Sequence, residues 1–175
     1  ITGDYRTLME TPELLIEGLN IVLDMFPIAK GIIGIEDNKK DAIAKVEALV
    51  KGDARISVAT LKTKYPQGAE RSLIYATTGR SINSSMLPAD AGCIVDNVAT
   101  IVAIKEAVKD GKPLYERIVT VTGDAIKNPS NFKVRTGTNV EELIEAAGGF
   151  KTQPEKIISG GPMMGMAMFT TCLLY

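Results

Sequence analysis

Histidine is absent from this chain of 175 residues, and cysteine occurs only twice, as Cys93 and Cys172. Without histidine, the sequence holds no histidine general base, no Ser–His–Asp triad and no histidine metal ligand. Two cysteines are too few for a disulfide framework or a four-cysteine iron–sulfur site, although one disulfide between them is conceivable. Their scarcity favours a reducing compartment, and we assign neither a metal site nor a catalytic residue to this stretch.

A strong charge of either sign is also lacking, because 20 Lys and Arg residues stand against 21 Asp and Glu residues and the net charge is −1. No basic block stands out, so neither nucleic acid nor anionic lipid is an expected partner. No apolar run reaches the roughly 20 residues of a membrane span. The longest candidate, "LLIEGLNIVLDMF", carries Glu17, Asn20 and Asp24 at helical spacing, which is typical of an amphipathic helix.

The chain does contain 45% hydrophobic residues, enough for a sizeable core. It shows no signal peptide. It begins at "ITGDYRTLME" without a Met, so we expect that an upstream part is missing.

The first 111 residues alternate helix and strand patterns. A helix is predicted for "TPELLIEGLNIVLDMFP", with Thr11 as the N-cap and Pro12 at the first helical position. Its core-facing stripe is Leu15, Leu19, Val22 and Phe26. The segment "KGIIGIED" is typical of a buried strand, "NKKDAIAKVEALVKG" of a helix closed by Gly52, and "RISVATL" of a second strand. Strand, helix and strand with short joins predict a right-handed βαβ unit with a parallel strand pair.

Two further helices are predicted in this part of the chain. The first covers residues 69 to 78, and the segment "SINSSMLPADAG" after it is a loop. A short strand, "CIVDN", then leads into the helix "VATIVAIKEAVKDG", which ends at Gly111. Residues 1 to 111 therefore predict an α/β layer structure.

Pro113 marks a boundary, after which the pattern changes. "ERIVTVTG" and "FKVRTG" predict two strands joined by the turn-forming "DAIKNPSN". "TNVEELIEAAGG" predicts a helix with a Thr138–Glu141 capping box. The core-facing positions of this helix are Val140, Leu143, Ile144 and Ala147. Two strands and a helix over this length predict a small β-grasp-like module, and "EKIISGGPMMGMAM" adds another strand and a turn rich in glycine and methionine.

Six stretches of the chain resemble the RnfC family, the electron-input subunits of Rnf-type ion-translocating electron transport complexes. They are "GDYRTLME", "IIGIEDNK", "TKYPQGAERSLIYATTGR", "LPADAGCIVDNVAT", "VTGDAIKNP" and "ISGGPMMGM", and they occur in the order of the family over nearly the whole chain. The chain is similar, more distantly, to the NADH-binding flavoprotein subunit of respiratory complex I. The resemblance implies an α/β fold, with a Rossmann-like parallel-sheet layer that is incomplete at its N-terminus and is followed by a β-grasp module of the soluble-ligand-binding (SLBB) type.

The same resemblance implies three segments and a set of cofactors. Residues 1–112 would form the truncated flavin and NADH domain, residues 113–153 the SLBB module, and residues 154–175 a connection toward a missing C-terminal iron–sulfur domain. FMN and NADH would bind to the full-length protein, and two 4Fe-4S clusters would be held by the missing C-terminal part. The glycine-rich flavin loop of the family would lie upstream of residue 1, and Cys172 is not expected to be a cluster ligand.

By resemblance, the protein is the electron-input subunit, an oxidoreductase and translocase subunit, of an ion-translocating NADH:ferredoxin oxidoreductase complex. It would lie peripherally on the cytoplasmic side of the cell membrane and bind NADH and the other subunits of the complex, without a membrane span of its own. This fragment alone is expected to be inactive. Two alternatives remain open: a related soluble reductase of a cobalamin or amino-acid reduction pathway, and a non-catalytic SLBB module that binds a ligand or partner.

The loop "KTKYPQGAE" suits a planar ligand that forms hydrogen bonds. Gly68 would let the backbone approach a flavin ring, Tyr65 can stack or donate, and Glu70 can accept from a nicotinamide amide or a ribose. With Lys64, these residues are our candidates for cofactor binding. The alternative is an ordinary strand–helix turn in which Glu70 is a favourable charge at a helix N-terminus.

"VDNVAT" gives two more cofactor-binding candidates, Asn97 and Thr100, because the complex I relative contacts its flavin phosphate and ribityl chain at this place. Asp96, an acid, is a poor phosphate ligand. Helix capping is the alternative role for these side chains.

Two other motifs could also contact a ligand, and each has a structural alternative. Asp37 in "GIEDNK" could bind a ribose hydroxyl but fits an N-cap equally well. "SGGPMMGM" lacks the spacing and the lysine of a P-loop, so we interpret it as a turn that docks the module to its neighbour.

Overall fold

The computed structural model describes residues 2–161 and 164–172. Its contacts divide the chain into two compact units, one from Gly3 to Pro113 and one from Leu114 onward. Each unit has a hydrophobic cluster of its own, as expected of independently packed layers.

The first unit is an α/β unit. In chain order it contains α1 (Thr2–Glu10), α2 (Pro12–Met25), β1 (Gly31–Glu36), α3 (Lys40–Val50), β2 (Ile56–Leu61), α4 (Glu70–Thr78), a short 3₁₀ helix (Pro88–Ala91) and α5 (Val98–Asp110). Strands β1 and β2 are parallel, in a register that runs from Gly31 opposite Ile56 to Glu36 opposite Leu61. The predicted strand–helix–strand order with a parallel pair is therefore confirmed. Gly52 lies just past the end of α3 with φ of +89°, a conformation that glycine adopts without steric cost.

The core of this unit lies between the strand pair and the helices. Its buried members are Leu8, Leu15, Leu23, Ile33, Ile35, Ala42, Val46, Val50, Ile56 and Ile101. Leu19 and Val22 pack against this cluster as the stripe predicts, but Phe26 is 46% exposed. That prediction was wrong because α2 ends at Met25, so the helical spacing no longer directs residue 26 toward the core.

Two further local predictions in the first unit are corrected by the structure. Residues 93–97 form no strand, because this extended segment pairs with no neighbouring strand, and Ile94 is 67% exposed. The N-cap of α3 is Lys39 and not Asp37, whose carboxylate bonds elsewhere. The predicted N-cap of α2, Thr11, is confirmed, although its side chain makes no capping hydrogen bond. The end of α5 at Gly111, with φ of +64°, is as predicted.

The second unit pairs a hairpin with a helix. Its elements are β3 (Glu116–Val121), β4 (Ser130–Arg135), α6 (Val140–Ala146), β5 (Ile158–Ser159) and β6 (Met166–Ala167). Strands β3 and β4 are antiparallel, as are β5 and β6. Ile126, Ile144 and Ala147 form its buried cluster, against which Phe132 and Val140 pack. Leu143 is also buried, so the predicted core face of α6 is confirmed.

The predicted capping box of α6 was wrong by one residue. The N-cap is Asn139, whose side-chain oxygen accepts a hydrogen bond from the Glu141 amide at 2.9 Å. Thr138 instead donates its hydroxyl to the Arg135 carbonyl at 2.8 Å. In the predicted turn "SGGPMMGM", Pro162 and Met163 lie outside the described residues.

Candidate functional site

The loop between β2 and α4, together with the first residue of α4, carries four of the predicted cofactor-binding residues. It is shaped by two backbone hydrogen bonds, from the Gln67 amide to the Lys64 carbonyl at 2.8 Å and from the Ala69 amide to the Pro66 carbonyl at 3.0 Å. Lys64, Tyr65, Gly68 and Glu70 are all exposed, and Tyr65 is 71% exposed. The loop therefore presents one exposed group of polar and aromatic side chains, and their role in binding stays a prediction.

Gly68 is not required by the packing of this loop. Its φ lies outside the left-handed region, and a Cβ atom at this position would meet nothing within 4 Å. The surface above this glycine is open, which is the condition for a planar ligand to approach the backbone closely.

Gln67 is the residue in this loop that sequence reasoning missed. It is only 4% exposed, and among the described residues its Oε1 is a buried side-chain oxygen without a hydrogen-bond partner. A buried acceptor in this state costs about 1–3 kcal/mol. In the sequence Gln67 lies in a polar run, so nothing marked it as buried.

Glu70 is the first residue of α4, after the N-cap Ala69, which makes no side-chain cap. A carboxylate in the first turn interacts favourably with the positive end of the helix dipole. The ordinary role that we considered for Glu70 therefore fits its position, and it does not conflict with contact to a ligand.

Asn97 and Thr100 lie at the beginning of α5. Asn97 is the N-cap, and its Oδ1 accepts a hydrogen bond from the Ala99 amide at 2.9 Å. Its Nδ2 donates to Asp4 Oδ1 at 3.1 Å, while the Thr100 amide donates to the Asn97 carbonyl at 2.9 Å. Asn97 thus caps α5, as the alternative interpretation expected. Asp4 places a second acidic side chain, in addition to Asp96, next to Asn97. Contact of Asn97 and Thr100 with a flavin phosphate stays a prediction.

Helix α1, which the sequence did not predict, is attached to the beginning of α3. The Tyr5 hydroxyl donates to Asp41, and the Lys39 ammonium lies 5.5 Å from the centre of the Tyr5 ring. The hydrogen bond from Tyr5 is the main cause that lowers the pKa of Asp41, and the same bond raises the pKa of Tyr5. Lys45 Nζ also donates to the Met9 carbonyl at 2.6 Å. These contacts fix the helix that carries Asp4 beside Asn97.

Asp37 follows β1 directly and bonds to Thr63, near the beginning of the β2–α4 loop. Its Oδ1 accepts hydrogen bonds from the Thr63 hydroxyl at 2.6 Å and from the Thr63 amide at 3.1 Å. These two bonds are the leading causes that hold the pKa of Asp37 below its ordinary value. One oxygen of this carboxylate, Oδ1, is therefore engaged with Thr63, and contact of Asp37 with a ribose stays a prediction.

The described residues contain no group of three or more His, Cys, Asp or Glu side chains that could hold a metal ion. Cys93 and Cys172 are both free cysteines, Cys93 half-buried and Cys172 exposed. Over the same described ranges, no helix combines the length and the apolar character that crossing a membrane requires.

Comparisons with known proteins agree with the two units. Residues 1–106 match the Nuo51 FMN-binding domain family, and residues 118–167 match the SLBB domain. The chain is 46% identical to the C subunit of the Na(+)-translocating ferredoxin:NAD(+) oxidoreductase complex of Acetobacterium woodii, over 98% of this chain and 39% of the relative. It is 47% identical to the C subunit of the proton-translocating ferredoxin:NAD(+) oxidoreductase complex of Clostridium ljungdahlii, over 95% of this chain and 36% of that relative.

A third relative is the C subunit of the ion-translocating oxidoreductase complex of Cronobacter sakazakii, which is 37% identical over 99% of this chain and 24% of its own length. The chain thus spans between about a quarter and two fifths of the curated relatives it matches. The resemblance stated from the sequence is confirmed: the chain belongs to the Nuo51 FMN-binding domain family, followed by an SLBB domain, in the form found in the C subunits of ion-translocating oxidoreductase complexes.

Proposed function

We propose that this chain is the flavin-binding central part of the electron-input subunit of an ion-translocating NADH:ferredoxin oxidoreductase complex. The observation that carries the proposal is the match of residues 1–106 to an FMN-binding domain, followed by an SLBB domain, in a chain whose relatives bear the name of that complex. Electrons would pass between NADH, flavin and iron–sulfur clusters. The two 4Fe-4S clusters would be held by a part of the full-length protein outside this chain.

The residues of the β2–α4 loop fit a flavin. Gly68 leaves open space for a planar ring, and the exposed Tyr65 can stack on it or donate to it. Lys64 can face the negative charge of the cofactor, and Glu70 can accept from the amide or ribose of NADH. Asn97 and Thr100 would reach the phosphate and ribityl end. A bound flavin would accept two electrons as a hydride and pass them on singly, and this chain's residues bind and orient it.

The domain limits that follow from this function are residues 1–112 for the flavin and NADH domain, 113–153 for the SLBB module and 154–175 for the connection toward an iron–sulfur domain. The division of the structure at Pro113 and Leu114 supports the first limit. Association with the membrane, on its cytoplasmic side, would run through the other subunits of the complex.

A second candidate function, binding of a partner by the SLBB module alone, has one observation in its favour. Large apolar side chains are exposed at the end of the segment that matches the SLBB domain, residues 118–167, namely Ile158, Met164 and Met166. Exposed apolar groups of this size are common at contact surfaces between proteins.

The visible spectrum of the full-length protein tests the main proposal. Flavin and iron–sulfur absorption should both be present, and the flavin absorption should bleach when NADH is added without oxygen. A colourless full-length protein that still assembles with its partner subunits would favour the binding module instead. This chain alone should bind FMN weakly or not at all and should not oxidise NADH.

A further inference from the structure

The two parallel strands are joined beyond their ends by one pair of side chains. Asp37 directly follows β1, and Thr63 lies two residues after β2. The Asp37 amide donates to the Leu61 carbonyl at 2.7 Å, which continues the strand pairing by one step. The Asp37 carboxylate then accepts from both the amide and the hydroxyl of Thr63, at 3.1 and 2.6 Å. We call this arrangement the Asp37–Thr63 clasp.

The clasp holds the beginning of the loop that carries the predicted flavin contacts. Thr63 immediately precedes Lys64 and Tyr65, so a bond to Thr63 fixes the point at which this loop leaves the sheet. The other end of the loop is fixed by α4, in which Ile74 is buried. Leu73 of the same helix packs close to Gly34 of β1. A Cβ atom added to Gly34 would lie 3.0 Å from Leu73 Cδ1. Both ends of an exposed loop are thereby tied to β1 or its extension.

The clasp also bears on the role of Asp37, an acidic residue at the end of a parallel strand. In dinucleotide-binding folds such an acid accepts hydrogen bonds from a ribose. Here the Thr63 hydroxyl and amide both converge on Oδ1 of Asp37. These bonds give Asp37 a role within the protein that requires no ribose, and losing them would release the beginning of the loop.

We infer that Asp37 and Thr63 are positioning residues, which set the β2–α4 loop in place for flavin. The inference rests on the proposed function, because it takes the loop to be a wall of the flavin site. Neither residue needs to touch the cofactor. Their effect passes through the backbone at Thr63 to Tyr65 and Gly68.

Two matched pairs of substitutions in the full-length protein test the clasp. Thr63→Val keeps the shape of the side chain but removes the hydroxyl, whereas Thr63→Ser keeps the hydroxyl. Asp37→Ala removes the acceptor, whereas Asp37→Asn keeps a side-chain oxygen that can accept both bonds. The measurements are the FMN dissociation constant of the flavin-depleted protein, KM and kcat for NADH, and the melting temperature.

We expect Thr63→Val and Asp37→Ala to raise the FMN dissociation constant by roughly threefold to tenfold, since the lost bonds are exposed ones. Thr63→Ser and Asp37→Asn should stay close to the unmodified protein. The double variant Asp37→Ala with Thr63→Val should bind FMN no more weakly than Asp37→Ala alone, because the two residues act through one interaction.

Other results would overturn the inference, and they separate it from the proposed function. A raised KM for NADH in Asp37→Asn, with normal values in Thr63→Val, would identify Asp37 as a ribose ligand. If Thr63→Val and Asp37→Ala lower the melting temperature but leave FMN binding unchanged, the clasp stabilises the fold and does not position the loop for flavin. If the unmodified full-length protein binds no flavin, the proposed function and the inference both fail, whereas flavin binding that none of these variants changes removes the inference alone.

Discussion

Gly18 in α2 and Ile101 in α5 approach so closely that a Cβ atom on residue 18 would lie 2.2 Å from the Ile101 carbonyl oxygen. Gly18 is itself buried, and α2 and α5 pack against each other along this contact. Because the atom in the way is backbone, a side chain here cannot be accommodated by a change of rotamer.

We therefore expect Gly18→Ala to destabilise the protein by about 1–3 kcal/mol, as overpacked sites do. Alanine favours helix over glycine by about 1 kcal/mol, so a net loss would show that the helix contact outweighs propensity. Urea unfolding is the measurement, and Gly68→Ala is the control because its Cβ atom would meet open space. Equal stability of the two variants would contradict the close contact.

Gly68→Val in the full-length protein should release flavin. A β-branched side chain would occupy the open space above the loop and restrict its backbone. The ratio of flavin to protein after purification measures this loss. Gly68→Ala serves as the smaller step, and retention of a full complement of flavin by the valine variant would show that the cofactor does not lie against this glycine.

Glu70→Gln should retain flavin but slow hydride transfer or raise KM for NADH. The substitution removes the negative charge and keeps the size of the side chain at the first residue of α4. Stopped-flow reduction of the flavin by NADH is the measurement. Rates and KM equal to those of the unmodified protein would leave Glu70 with its dipole role alone.

Gln67→Met should leave the stability of this chain unchanged or raise it by up to about 1 kcal/mol, because an apolar group of similar size replaces a buried oxygen that has no partner. Gln67→Glu is the contrasting variant and should destabilise the chain, since it places a charge in the same site. Denaturant titration distinguishes them. A clear loss of stability in the methionine variant would mean that the amide of Gln67 is satisfied after all.

The stability of the chain should depend on the Asp37–Thr63 clasp at neutral pH more than in acid. Thr63 lowers the pKa of Asp37 from its ordinary value of 3.8 in the folded state. A lowered carboxyl pKa contributes stability that is present above the unfolded pKa and is lost as the pH falls through the folded pKa. The difference in stability between the unmodified chain and Thr63→Val should thus be constant above roughly pH 5 and shrink below about pH 4. The pKa of Asp41 is also lowered, but this effect is common to both proteins. A difference that grows in acid would contradict this sign.

The strand–helix–strand unit could be predicted because its signals are local. Strand β1 is an isoleucine-rich run that contains glycine, β2 is a short run rich in β-branched residues, and Gly52 ends the helix between them. The segment "CIVDN" has a similar composition but no strand beside it, and pairing is not visible in a single segment. At α6, Thr138 and Asn139 are adjacent residues that both favour N-cap positions, and only the three-dimensional structure shows that Asn139 takes the role.

Some features of the candidate site could be predicted from the sequence, and others appear only in the three-dimensional structure. The loop of Lys64, Tyr65, Gly68 and Glu70 was recognisable from its own residues and from the family. The burial of Gln67 depends on what surrounds the loop, so composition could not indicate it. The bond between Asp37 and Thr63 joins residues separated by 26 positions, and the sequence suggested only a ribose contact or an N-cap for Asp37.

Helix α1 is anchored to residues that are synthesised much later than the helix itself. Its Tyr5 bonds to Asp41 and its Asp4 bonds to Asn97, across separations of 36 and 93 residues. A nine-residue helix is too short to persist in water without such support. Because closing long loops costs entropy before the contacts form, α1 should acquire its structure only after α3 and α5 are in place. The segment that leaves the ribosome ahead of these helices would then be among the last parts of the first unit to fold.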